Sequence, residues 1–147
     1  MDTGITFQSK GEDVYYSIHW SPLALAERWH ISRSVPSVGG IFEIYWMDEQ
    51  KHLRMLIIGD THYGGLRSEI RRLTDAELAT NSMIRETLEN EEIWFRYATT
   101  NSATAMADLI WFFRKTYFPK DPGVEHSGKY KRIFIKESEP NKLIWVP

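Results

Sequence analysis

Residues 40–59 read GIFEIYWMDEQKHLRMLIIG, and the fold turns on them. Residues 41–46 (IFEIYW) and 53–58 (LRMLII) are rich in β-branched, aromatic and long aliphatic side chains, the types that suit a pleated, half-buried surface. A polar stretch, MDEQKH at 47–52, joins them, and Gly59-Asp60 stops the second run. Two such strands joined by a loop of this length form an antiparallel hairpin. Side chains alternate along a strand, so Tyr45 points to the face opposite Phe42.

After Gly64-Gly65, residues 66–73 (LRSEIRRL) place Leu66, Ile70 and Leu73 at helical spacing. Thr74-Asp75 predicts the cap of a second helix over about 76–88. A third strand follows at 93–99 (IWFRYAT). Asn101 or Ser102 caps a strongly apolar helix through Lys115, ended by Pro119 and Pro122. Upstream, residues 1–13 read as a loose lead-in and 14–20 (VYYSIHW) as a short strand. Ser21-Pro22 has the form of a helix start, with LALAERWHI behind it. Residues 130–136 (YKRIFIK) alternate like an exposed strand, and 143–146 suit a last short one. The reading is α+β: a small antiparallel β-sheet flanked by helices, with an N-terminal helix and a C-terminal strand extension.

Composition sets bounds on function. The 147 residues suit a single domain, 1–147, and 42% apolar with 26% charged residues is ordinary globular usage. Cysteine is absent, which excludes disulfides, thiolate metal sites and cysteine nucleophiles. The formal net charge of −2 provides no global field for nucleic acid, so such binding requires a local patch. There is no basic-then-apolar leader pattern and no run of 18 or more apolar residues, so the expected address is the cytoplasm, without membrane insertion.

The order of hairpin, helix with a basic stripe, strand and apolar helix, entered through VPSVGG at 35–40, resembles the GIY-YIG nuclease superfamily over about residues 35–120. The resemblance implies a metal-dependent phosphodiester hydrolase. In that family two motif tyrosines line a cleft, a helix arginine contacts the phosphate, and a carboxylate on the last helix holds a divalent cation, Mg²⁺ or Mn²⁺. Such a guanidinium and cation offset the charge that builds in the transition state. Carried onto this chain, Phe42 and Ile57 occupy the tyrosine positions, so both hydroxyls are missing. Arg67 or Arg71 is the phosphate contact, depending on helix register; matching Leu66 to the family pattern instead sets Glu69 at that position. Asp108 is the candidate catalytic and metal-binding carboxylate. Tyr45 and Tyr63 are the nearest phenols.

Other constellations are weaker. Asp60-Thr61-His62 at a strand end resembles the first metal motif of calcineurin-like phosphoesterases, but the later ligands do not follow. Basic residues gather at Arg54, Arg67, Arg71 and Arg72, and again at Lys129, Lys131, Arg132 and Lys136, where phosphate contacts or a solvated face are both readings. Residues 109–113 (LIWFF), with Trp94 and Phe95, suit core packing better than base stacking. Two functions follow. One is a divergent nuclease-like domain acting on DNA or RNA with hydrolysis weakened or lost. The other is a non-catalytic module on the same scaffold that binds a protein partner or forms a homodimer.

Overall fold

A computed structural model describes residues 3–121, 123–139 and 145–146. Among these, the elements in chain order are β1 (Gly4–Lys10), β2 (Asp13–His19), β3 (Ala24–Leu25), α1 (Arg28–Ser34), β4 (Gly40–Met47), β5 (Leu53–Thr61), α2 (Gly65–Leu73), α3 (Ser82–Asn90), β6 (Glu92–Thr99), α4 (Ala103–Tyr117), β7 (Arg132–Ser138) and β8 (Trp145–Val146). The chain is α+β, with helices flanking a largely antiparallel sheet. No described helix is long and apolar enough to cross a membrane.

The quoted stretch forms the expected hairpin. β4 and β5 pair antiparallel, with Phe42 opposite Gly59 and Ile44 opposite Ile57, before a bulge shifts the register between Ile44 and Tyr45. Asp48 organises the connection: its Oδ1 accepts the backbone N–H groups of Gln50 and His52, each at 2.9 Å, and its Oδ2 accepts Arg54 Nε. β6 lies antiparallel on the other side of β4. The five-stranded sheet runs β3-β6-β4-β5-β8, and a separate three-stranded sheet runs β1-β2-β7.

Three differences from the sequence reading have local causes. The supposed lead-in is β1, whose mostly exposed side chains hide a full backbone ladder to β2. The first helix starts at Arg28, capped by the Glu27 carboxylate, because Ser21 is committed elsewhere: its N–H donates to Tyr97 O and its Oγ accepts Tyr97 N–H. The single helix expected after Thr74 is broken in two. Asp75 caps a 3₁₀ turn at Ala76–Leu78, and Asn81 caps α3 separately. Ser102 caps α4 as read. Of the expected last strand at 143–146, residues 143 and 144 lie outside the described residues.

The sheet's two faces carry separate cores. On one, Phe42, Ile44 and Phe95 pack beneath α1 and α2, against Ile31, Val35, Leu66 and Ile70. On the other, Ile41, Ile58 and Ala98 meet Met106 and Leu109 of α4. The three-stranded sheet packs onto α4 and adds Val14, Tyr16 and Ile18 to that second core. Each such side chain contributes roughly 1.5–3 kcal/mol when fully buried. The helix carrying Asp108 therefore does pack on the hairpin, and the face it covers decides what it can reach.

Candidate functional site

Asp108 is sealed. The residue is fully buried, its Oδ2 accepts the Tyr16 hydroxyl at 2.6 Å, and its Oδ1 accepts the Ser127 backbone N–H at 2.9 Å. Burial, with this bond to Asp108, pushes the Tyr16 phenol well above its ordinary pKa. The carboxylate ties β2 and the segment before β7 to α4. A divalent cation wants several oxygen ligands and retained water. Here both Asp108 oxygens are already engaged by Tyr16 and Ser127, and among the described residues no group of three His, Asp or Glu side chains is placed to hold a metal.

Phe42 and Ile57 lie on the opposite face of the sheet from Asp108, in the core beneath α2. Phe42 is 1% exposed. The hairpin's glycines are explained by this packing. A Cβ on Gly59 would stand 2.9 Å from Phe42 Cζ, and one on Gly40 only 2.3 Å from Ala98 O. The phenols nearby do not replace the missing hydroxyls: Tyr45 is buried on the other face and donates to Glu43, while Tyr63 is fully exposed. Asp60, near the end of β5, and His62, just past it, are likewise exposed.

The arginines of α2 divide their work. Arg67 Nε donates to Val35 O at 2.8 Å, fastening α2 to the end of α1. Arg72 pairs with Glu69, so the acidic residue at the family's arginine position is itself engaged. Arg71 instead lines an open cleft of about 580 Å³ between α1, α2 and the 3₁₀ turn. Arg28 and Arg72 converge on the same cleft, together with the hydroxyl residues Ser68 and Thr74. Its floor is apolar, from Ala26, Ile31 and Leu78, and Asp75 and Glu77 stand on the 3₁₀ side. Arg28 and Arg71 form no ion pair with a described carboxylate, so their charge faces the cleft.

The most concentrated charge in the molecule was not anticipated from sequence. Glu43 and Arg96 are fully buried or nearly so, and Arg96 Nε donates to Glu43 Oε1 at 2.6 Å, where Tyr45 also donates. Arg96 reaches on to Glu137 of β7 and to Glu139 just past it, and its guanidinium sits 4.2 Å over the Trp20 ring. Burial pushes the Glu43 carboxyl up, with Arg96 pulling against it. Burial works against the Arg96 charge too, but Glu43 outweighs it and holds the guanidinium above its ordinary range. Desolvation, with the charge of Glu43 nearby, pushes Tyr117 up to about 12. The signal was present: one acid and one base, each in the middle of an apolar strand, mark a buried cross-strand pair.

An α+β domain with a closed polar core and one arginine-lined cleft is what the fold and its side chains define. The chain belongs to a family described as "Uncharacterised protein", whose profile matches residues 4–147. No curated protein and no solved structure matches it.

Proposed function

We propose that this chain is a divergent domain of GIY-YIG-like layout that binds nucleic acid through the cleft at Arg28, Arg71 and Arg72 and does not hydrolyse it. The observation that carries the reading is the separation of groups. The arginines open to solvent beneath one sheet face, while the only carboxylate in the nuclease position is sealed behind the other. Guanidinium groups suit phosphate oxygens, and two of the three here form no ion pair with a described carboxylate. The run of hairpin, helix, helix, strand and helix supports the layout.

The test is binding of a labelled duplex and a labelled single strand over a salt series, with Mg²⁺ or Mn²⁺ present. The expected result is salt-dependent binding without strand scission. In the variant Arg28→Ala/Arg71→Ala the duplex salt slope falls by about 1.8, at about 0.9 per lost phosphate contact. Cleavage that disappears in Asp108→Asn, or affinity untouched by the double arginine change, overturns it.

A second reading has its own observation. Trp29, Leu78 and Met83 are 69, 56 and 76% exposed around the same helices. Exposed apolar groups of this size mark protein contacts when contiguous. Self-association in sedimentation, lost in Trp29→Ser, would move the assignment to a homodimer face.

A further inference from the structure

The outer face of the three-stranded sheet has a regular composition. Strand pairing aligns Lys10, Asp13 and Arg132 in one row, Gln8, Tyr15 and Phe134 in the next, and Thr6, Ser17 and Lys136 in the third. Rows on one face are about 7 Å apart, two residues of strand rise. Tyr15 and Phe134 are each 44% exposed, although aromatic side chains normally repay burial. Their rings stack on each other at 4.9 Å and 11°, which leaves one π-face of each turned away from the pair. Asp13 and Arg132 neutralise each other through two hydrogen bonds, leaving Lys10 and Lys136 as the net charge on this face.

β7 is an edge strand among the described residues, and its free side opens on a second cleft of about 400 Å³. Ile133 of β7 and Lys131 just before it line this cleft, while Arg132, Phe134 and Lys136 point to the outer face. Opposite them stand Trp111 and Lys115 of α4, with Lys115 Nζ 4.9 Å over the Trp111 ring and His126 edge-on to it at 5.0 Å. Aromatic faces and lysines thus alternate from the sheet face around the β7 edge into the cleft.

We infer that this surface binds a single-stranded polynucleotide, with bases stacking at Tyr15–Phe134 and at Trp111 and phosphates held by Lys10, Lys136 and Lys115. Stacking explains exposed rings that a solvated face does not need, and interleaved cations are what a phosphate backbone requires. A protein partner of apolar character would leave those lysines unpaired. The five-stranded sheet lies between this surface and the arginine cleft, so the two sites stand or fall separately.

The experiment is fluorescence anisotropy on the full chain with labelled oligo-dT and oligo-U of about twelve nucleotides, and with a duplex of equal length. Single strands are expected to bind more tightly than the duplex. Phe134→Ser is expected to weaken binding by about 5- to 150-fold, the range for losing one stacking ring. Lys10→Gln/Lys136→Gln should flatten the salt slope by about 1.4, at about 0.7 per single-strand contact. These residues are exposed, and unchanged circular dichroism shows that the variants fold. The inference is overturned if the duplex binds as tightly as the single strands, if Phe134→Ser and the double lysine variant bind like the parent, or if the face mediates self-association that Phe134→Ser abolishes. Loss of single-strand binding in Arg28→Ala/Arg71→Ala, with Phe134→Ser unaffected, overturns it while leaving the cleft reading intact.

Discussion

Glu43 and Arg96 stand directly opposite each other in the β4–β6 ladder, and their 2.6 Å contact joins two opposite charges buried at the centre of the sheet. Removing Arg96 leaves the Glu43 carboxylate buried without its cation, and removing Glu43 takes from Arg96 its one fully buried carboxylate partner among the described residues. Arg96→Met or Glu43→Leu alone should therefore cost about 3–5 kcal/mol, while the double change should recover much of the loss. Urea unfolding of the three variants checks this. Single-variant losses that simply add in the double variant would mean the pair is not coupled.

The Tyr16–Asp108 bond leads to a different expectation from that of a metal ligand. Asp108→Ala leaves the Tyr16 hydroxyl unsatisfied in the core, at a cost of about 1–3 kcal/mol for that buried group, and releases the N–H of the exposed Ser127. Stability should fall, and added Mg²⁺ should not change the unfolding midpoint of either the parent or the variant. A parent midpoint that rises with Mg²⁺ only while Asp108 is present would return that residue to a cation site.

The hairpin, β6, α2 and α4 were legible because their apolar periods are strong and their ends carry caps or breakers. β1 was not, because an edge strand held by backbone pairing shows little in its side chains. Arg71 was legible as a candidate from its place on the basic helix, and it lines the open cleft. Arg28 was not, since Pro22 drew the helix start six residues too early, while Ser21 was in fact bonded to Tyr97. Asp108 went to the wrong side for a long-range reason. Strand alternation separates Phe42 from Tyr45, but which face α4 covers depends on how the chain returns after β6, and no local pattern records that.

Gly40 offers a test of packing without any backbone strain. Its φ is not in the left-handed region, yet a Cβ there would meet Ala98 O at 2.3 Å, Leu66 Cδ1 at 2.9 Å and Thr99 Cα at 3.0 Å. Two of those three neighbours are backbone atoms of β6, which cannot move without breaking the ladder. Gly40→Ala should lose about 1–3 kcal/mol or more by overpacking. Gly11→Ala, in an open turn at φ +61°, meets nothing within 4 Å and should lose less, through conformation alone. Equal losses at the two positions would show that contact is not the cause.

Four tyrosines make the protein's alkaline limit predictable. Burial pushes Tyr16, Tyr45, Tyr97 and Tyr117 upward, Tyr117 to about 12. The folded state then keeps protons that the unfolded chain releases near pH 10. Their stabilising contribution is complete below that pH and is lost as pH rises from about 10 through 12 and beyond, because the unfolded state gains by ionising first. The urea midpoint should hold at about pH 9, fall at about pH 11, and fall less in Tyr117→Phe, which has no proton to lose. Tyrosinate absorbance supplies the second readout: these four phenols should ionise with the unfolding transition. Absorbance that reaches all seven tyrosines while circular dichroism still reports a folded chain would show that burial is not protecting them.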